Sequence, residues 1–266
     1  MKCNLHTHTV FCDGVNTPEE MVMSAIDKGL VSFGFSGHGY TSFDFSYCMK
    51  NTEEYINEVL RLKEKFKDKI QVYLGLEEES LEYCDRSQFD YIIGSSHYYC
   101  ADGKLFDVDN DVEIAKSAVE AFGNNPVAAA ESYYEKFCDY ILKRKPDIVG
   151  HFDLLTKFDE KYDSIFTGNK EYEAVAEKYL LCAIKSGCLF EVNTGAISRG
   201  YKTRPYPSDK LLHILCKNDV GVVITSDCHS AQGIDCFYDE TENILKDVGF
   251  KYTYMLLDNE FKRVDL

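Results

Sequence analysis

At 266 residues, with 45% apolar side chains, the chain can bury a large core, and α/β barrels of this length fold as single units. A formal charge of −16, spread along the chain, repels polyanions and excludes the basic stripe of a nucleic-acid binder, though a small anionic substrate is still admitted. No stretch approaches the roughly 18 apolar residues of a membrane span, no basic-then-apolar leader opens the chain, and eleven cysteines without a CxxC pair read as reduced thiols, so a cytoplasmic protein is expected.

Strand and helix patterns alternate. "CNLH" opens as a short strand. "TPEEMVMSAIDKG" is a helix with Thr17 as N-cap, Pro18 in the first position, Glu20 completing a capping box and Gly29 closing the end. "VSFGFSGHG" is the second strand, and "NTEEYINEVLRLKEKFKDK" a charged amphipathic helix. "IQVYLGLE" and "FDYIIGSSH" are strands three and four. Residues 109–144 hold one or two helices, with Pro126 as the break. "DIVGH" is strand five, "NKEYEAVAEKYLLCAIKSG" a helix, "CLFEVNTG" strand six, "PSDKLLHILCKND" a helix and "VGVVITSDCH" strand seven. A last helix near 238–248 leads into "YTYMLLD".

Several strands are near-continuous apolar runs, the pattern of a parallel sheet buried on both faces. No linker or composition shift divides the chain, so residues 1–266 read as one domain, a barrel or near-barrel of seven β-α units. A doubly wound open sheet is the alternative, but no dinucleotide fingerprint or phosphate loop is present.

The strand ends carry the chemistry. His6 and His8 sit two apart, so on a strand they face the same side. His38, Glu77, His97, His151 and Asn193 end strands two to six, and Asp227 with His229 ends strand seven. Six of the seven histidines fall there; His213, on a helix face, reads as a packing or surface residue. In a parallel barrel all strand C-termini open on one face, so these residues meet in space. With Asp13 they make nine candidate ligands: His6, His8, Asp13, His38, Glu77, His97, His151, Asp227 and His229. Nine exceed the usual three protein ligands of one catalytic zinc and suit two or three divalent ions. Mixed nitrogen and oxygen donors fit zinc, manganese or iron. Cys228, between two candidates, should point away from the site.

The ordered set "HTH", "CDG", "SGHG", "GLE", "SSH", "GHFD" and "SDCH" resembles the PHP superfamily, named for polymerase and histidinol phosphatase. Length and the segments "TPEEM", "GHFDLLTKF" and "NTGAISRGYKTRPYPS" look most like its monofunctional histidinol-phosphate phosphatases. The resemblance implies a distorted (β/α)7 barrel and a trinuclear metal centre. One metal would take His6, His8, Glu77 and Asp227; a second would share Glu77 and add His97 and His151; a third would take Asp13, His38 and His229. Some relatives carry a histidine where Asp13 stands. The bridging carboxylate falls on Glu77, with Glu79 as second choice and Glu78 pointing away.

The resemblance further implies hydrolysis of a phosphomonoester, with a metal-bridging hydroxide attacking phosphorus. L-histidinol phosphate is the expected substrate, giving L-histidinol and phosphate in histidine biosynthesis. Glu77, Asp227, His229 and Arg199 are the residues expected to carry the chemistry. Arg199 is the first choice for a phosphate contact, since guanidinium binds phosphate bidentately; Lys157 and Arg204 follow, each with an ordinary solvated cation as the alternative. Tyr40, Phe43 and Tyr98 are candidate substrate-pocket walls or simple rim packing. The oligomeric state and the general acid are not legible.

Three alternatives stand beside this reading. An amidohydrolase also begins with HxH, but the lysine expected after strand four is missing from "SSHYYC". Another PHP phosphoesterase would act on phosphotyrosine protein or nucleotide phosphate. A non-catalytic metal-binding PHP module would be expected to lose ligands, and all nine positions are kept.

Overall fold

The computed structural model describes residues 1–266. In chain order the elements are β1 (Cys3–Asn4), α1 (Pro18–Asp27), β2 (Ser32–Phe35), α2 (Thr52–Lys65), β3 (Gln71–Glu79), β4 (Tyr91–Ser95), β5 (Tyr98–Ala101), β6 (Lys104–Asp107), α3 (Val112–Ala121) and α4 (Pro126–Arg144). There follow β7 (Ile148–Val149), α5 (Lys170–Ala183), β8 (Leu189–Asn193), the one-turn α6 (Gly195–Ser198), α7 (Asp209–Lys217), β9 (Val222–Thr225), α8 (Tyr238–Val248), β10 (Tyr252–Leu257) and β11 (Glu260–Asp265).

Seven strands form one parallel sheet in the order β1-β2-β3-β4-β7-β8-β9, wrapped into a nearly closed barrel with helices outside. The expected single-domain (β/α)7 barrel is what is observed. No regular ladder joins β1 to β9. Their seam is closed by a bridge between Thr7 and Cys228, where His8 N–H donates to Cys228 O at 2.9 Å. Below it the Asn4 side chain acts as a stitch. Its amide donates to Ser226 Oγ (2.6 Å) and Ile234 O (2.9 Å), and its oxygen accepts from Ser226 N–H.

Alternation along β3 shows how the sequence sorts itself. Val72, Leu74 and Leu76 point outward into an apolar cluster shared with α1 and α2. Tyr73, Gly75, Glu77 and Glu79 point into the barrel. Gly75 is needed there: a Cβ would lie 2.2 Å from the Tyr91 ring, which fills the barrel and donates its hydroxyl proton to the Leu5 carbonyl. Below Tyr91 the interior is apolar, made of Cys3, Leu5, Ile93, Ile148 and Val223. The C-terminal hairpin β10–β11 covers that end with Met255 and Leu256. The barrel is thus dry at one mouth and ionisable at the other.

Most strands are shorter than their sequence patterns suggest, although β3 runs on to Glu79. "CNLH" ladders only over Cys3–Asn4 and "DIVGH" only over Ile148–Val149. The chain leaves the ladder just where His6, His8 and His151 turn into the mouth. Pro126 starts α4 at its first turn, so residues 109–144 hold two helices. Residues 98–107 form an antiparallel hairpin, β5–β6, that no periodicity in the sequence announced.

Glu78, pointing outward, forms a buried ion pair. Arg144 grips it with Nε at 2.8 Å and a terminal nitrogen at 2.7 Å, and Tyr140 donates at 2.8 Å. Burial raises the Glu78 pKa, but Arg144 and Cys84 outweigh it, so the carboxyl sits below its usual range. Glu78→Gln is expected to cost about 3 kcal/mol at pH 7, because it leaves Arg144 without its counter-charge. A depressed carboxylate stabilises above its unfolded pKa and loses that contribution as it protonates. The gap between variant and wild type should therefore shrink below about pH 4.5, as denaturant titrations at several pH values would show.

Candidate metal centre

Glu77, 1% exposed, lies at the centre of the mouth. Its Oε2 is 3.2 Å from His6 Nε2, 3.5 Å from His8 Nε2 and 2.9 Å from His38 Nδ1. Its Oε1 is 3.0 Å from His151 Nε2 and 3.5 Å from His97 Nε2. Asp227 Oδ1 approaches His8 Nε2 at 3.2 Å and His6 Nε2 at 3.6 Å. Asp13 collects His229 Nε2 (3.1 Å), His8 Nδ1 (3.4 Å) and His38 Nε2 (3.7 Å). All nine predicted residues are therefore brought together. Glu79 touches only His97 among these imidazoles, and Glu78 points away, so Glu77 is the central carboxylate.

Donor atoms close enough to share one ion form four overlapping groups: His8, Asp13, His38 and His229; His6, Glu77 and His151; His6, His8 and Asp227; His38, Glu77 and His97. This differs in detail from the grouping implied by resemblance. His8 also joins the Asp13 group, and His97 and His151 fall into separate groups, with His38 and His6 respectively, although both face Oε1 of Glu77.

The hydrogen-bond pattern tests whether these residues suit a cation. His6 Nδ1 meets Glu191, His97 Nδ1 meets Glu79, and His229 Nδ1 meets the Asp227 carbonyl. His6 and His97 Nδ1 face carboxylate acceptors and so carry a proton, whereas His229 Nδ1 lies between that carbonyl and the Arg199 guanidinium, a donor at 3.3 Å. In the neutral rings of His6 and His97 the Nε2 lone pair then points at a carboxylate oxygen. Two lone pairs at these distances require a proton or a cation between them. His6 Nε2, His8 Nε2 and Glu77 Oε2 are buried with no hydrogen-bond partner. A donor set of imidazole nitrogen and carboxylate oxygen fits divalent cations of the zinc, manganese and iron class.

Electrostatics agree. Burial opposes charge on every group here. For His6, Glu191, Glu77 and Asp227 outweigh it and raise the imidazole pKa; His97, beside Glu77 and Glu79, is pushed up to about 10. Glu77 is held well below the carboxylate range by His6, His38 and His97, and Asp227 by Arg199 and His6. His8 is lowered by burial and by its neighbours His229 and His38.

Asp13, His38, Glu77, His97, His151, Asp227 and His229 line a cavity of about 420 Å³ with Ser46, Tyr47, Tyr98, Asp107, Asp109, Asn110, Leu154, Lys157 and Arg199, and His6 and His8 lie buried behind it. Arg199 lies on its wall, donating to Asp227 O (2.8 Å) and Asp227 Oδ2 (3.1 Å). Lys157 lines it too, but its ammonium is engaged by Asp109 Oδ2 at 3.0 Å. Arg204 is not brought to the site: it forks onto Asp209 in a separate surface pocket. Tyr40 and Phe43 are exposed and off the cavity wall; Phe43 packs edge-on against Tyr98, which does line it. Cys228 is buried in the outer core, and His213 is exposed on α7, bonded to the Asp209 carbonyl.

Sequence reasoning missed Tyr47, Asp107, Asp109 and Glu191. Tyr47 stands perpendicular to His38 at 4.7 Å between ring centroids. "FDVDND" held the aspartates in plain view, but the hairpin that carries them to the mouth was not foreseen. Glu191 had a signal: a carboxylate inside the apolar strand "CLFEVN".

The PHP domain family model matches residues 4–195. The chain belongs to the PHP domain family. A Schizosaccharomyces pombe protein named probable histidinol-phosphatase is 26% identical over 96% of this chain and 90% of its own length. A Bacillus subtilis histidinol-phosphatase is 25% identical over 88% of this chain and 96% of its own. The solved structure of a Lactococcus lactis histidinol phosphate phosphatase, complexed with zinc, L-histidinol and phosphate, superposes with a TM-score of 0.72 at 21% identity, covering 98% of each chain. That likeness supports the barrel seen in this PHP chain.

Glu77→Gln or Asp227→Asn is expected to lower the zinc content of the reconstituted protein, measured by atomic absorption, while the far-UV circular dichroism stays that of the wild type.

Proposed function

We propose that this chain is a phosphoric monoester hydrolase dependent on two or three divalent cations, acting on L-histidinol phosphate to give L-histidinol and phosphate. The observation that carries the reading is the convergence of six imidazoles, Glu77, Asp227 and Asp13 into one cluster beside a cavity whose wall holds four of those imidazoles and Arg199. The names of the relatives and the ligands of the Lactococcus structure support the substrate.

When bound, such cations would supply a deprotonated water near neutral pH and neutralise charge on a phosphate ester. His6, His8, Asp13, His38, Glu77, His97, His151, Asp227 and His229 would hold them. The remaining work falls to side chains of the cavity wall. Arg199, locked by Asp227, offers fixed positive charge to phosphate oxygens. Asp227 thereby ties the phosphate-binding cation to the metal-holding residues. Tyr98 and Tyr47 give the cavity aromatic walls suited to an imidazole ring.

Asp107 and Asp109 suit the other end of the substrate, its ammonium group. Burial and the neighbouring Asp109 push the Asp107 carboxyl up to about 6, whereas Lys157 and His97 outweigh burial at Asp109 and hold it low. A cationic group arriving at Asp107 relieves that strain.

In a panel of L-histidinol phosphate, phosphotyrosine, a nucleotide monophosphate and an aryl phosphate, the first is expected to give the highest kcat/KM after metal reconstitution; a preference for another places this chain with a different phosphoesterase. Arg199→Ala should raise KM for L-histidinol phosphate about tenfold or more, the loss of one charged hydrogen bond. Asp107→Asn should lower kcat/KM for L-histidinol phosphate and spare the aryl phosphate, which has no ammonium group; an equal loss on both would remove Asp107 from substrate recognition.

A further inference from the structure

Glu191 is a buried carboxylate pointing into the barrel from the middle of β8, its side chain fully covered. All its acceptor positions are filled. Oε1 accepts from His6 Nδ1 at 2.5 Å and Thr225 Oγ1 at 2.6 Å. Oε2 accepts from His151 N–H at 2.7 Å and Asn193 Nδ2 at 3.0 Å. No lysine or arginine touches it. Four donors satisfy this buried carboxylate without a fixed counter-charge, and the one titratable group among them is the His6 imidazole.

We propose that Glu191 is a positioning residue that fixes the proton of His6 on Nδ1, leaving Nε2 to face the cation position beside Glu77 and Asp227. Through the His151 N–H it also sets where that second imidazole starts. This inference rests on the reading of the mouth as a metal centre. Glu191 is too far back to be a ligand there: its oxygens are consumed by the four donors behind the imidazoles. It acts through His6.

The isosteric variant Glu191→Gln has a predictable orientation. His151 N–H and Asn193 Nδ2 are both obligate donors, since the Asn193 oxygen is held by Gly195 N–H at 2.7 Å. The amide oxygen of Gln must therefore take the Oε2 position, and its NH2 must face His6 Nδ1. That Nδ1 can then only accept, so the proton moves to Nε2 and the ring no longer offers a lone pair to a cation. One atom changed, with packing retained, should invert the tautomer.

The test uses the full chain stripped of metal. Nitrogen-15 spectra of histidine-labelled protein, recorded at a pH where the His6 ring is neutral, should show its proton on Nδ1 in the wild type and on Nε2 in Glu191→Gln. Zinc titration against a chromophoric chelator should show one class of bound zinc weakened about 10- to 100-fold in the variant. Thr225→Val, which removes the other Oε1 donor and keeps the carboxylate, should leave zinc affinity within about threefold of the wild type if the effect runs through His6. An unchanged His6 tautomer in Glu191→Gln, or unchanged zinc affinity with the tautomer inverted, overturns the proposal. If the variant does not fold, wild-type His6 carrying its proton on Nε2 overturns it by itself. Wild-type protein that takes up no zinc instead sinks the metal reading, a separate failure because the tautomer is read without zinc.

Discussion

The architecture turns on one constraint: Glu77 is buried with its two oxygens facing five imidazoles, and one of those oxygens has no hydrogen-bond partner. Charge at this depth is tolerated only when it is matched. The mouth holds Glu77, Asp227, Asp13, Glu79 and Glu191 against the single guanidinium of Arg199, with Lys157 already committed to Asp109. Protons on the imidazoles or divalent cations must make up the difference, and the Nδ1 contacts of His6 and His97 suit the second. The rest of the barrel serves this arrangement. Tyr91 and the apolar interior below it deny water access from the other end, and the outward faces of the strands bury enough apolar surface to hold nine polar side chains in place.

The barrel and the ligand set were legible in the sequence for the same reason. Ligands fall at strand ends, strands announce themselves as apolar runs, and a parallel barrel gathers every strand end on one face. His38 and His97, far apart along the chain, could be placed together on that rule alone. What sequence hid was whatever depended on a connection rather than a strand. The β5–β6 hairpin has no clean alternation, so Asp107 and Asp109 could not be carried to the mouth. Arg204, a weaker candidate than Arg199 on sequence, falls past a turn of the loop and meets Asp209 first. Glu191 was visible as an anomaly, a charge in an apolar strand, but its role required knowing that His6 lay beside it.

Glu77, Glu78 and Glu79 show how little sequence separates three roles. Alternation sends the first and third inward and the second out. Glu77 then meets five imidazoles, Glu79 steadies His97 from behind, and Glu78 becomes the partner of Arg144 in the helical layer. One pleat of a single strand thus supplies a candidate ligand, a support and a structural ion pair.

The stitched seam between β1 and β9 has a topological consequence. His6 and His8 leave the chain's first strand, and Asp227 leaves the last strand of the barrel; Asn4 and Ser226, which meet across that gap, are 222 positions apart. Any ion held jointly by those side chains closes a loop that spans most of the polypeptide. It would behave as a reversible cross-link between the first and last strands of the barrel. Cation occupancy would then act on how long the ring stays shut, so that the chemistry of the mouth and the kinetic persistence of the barrel share one fastening.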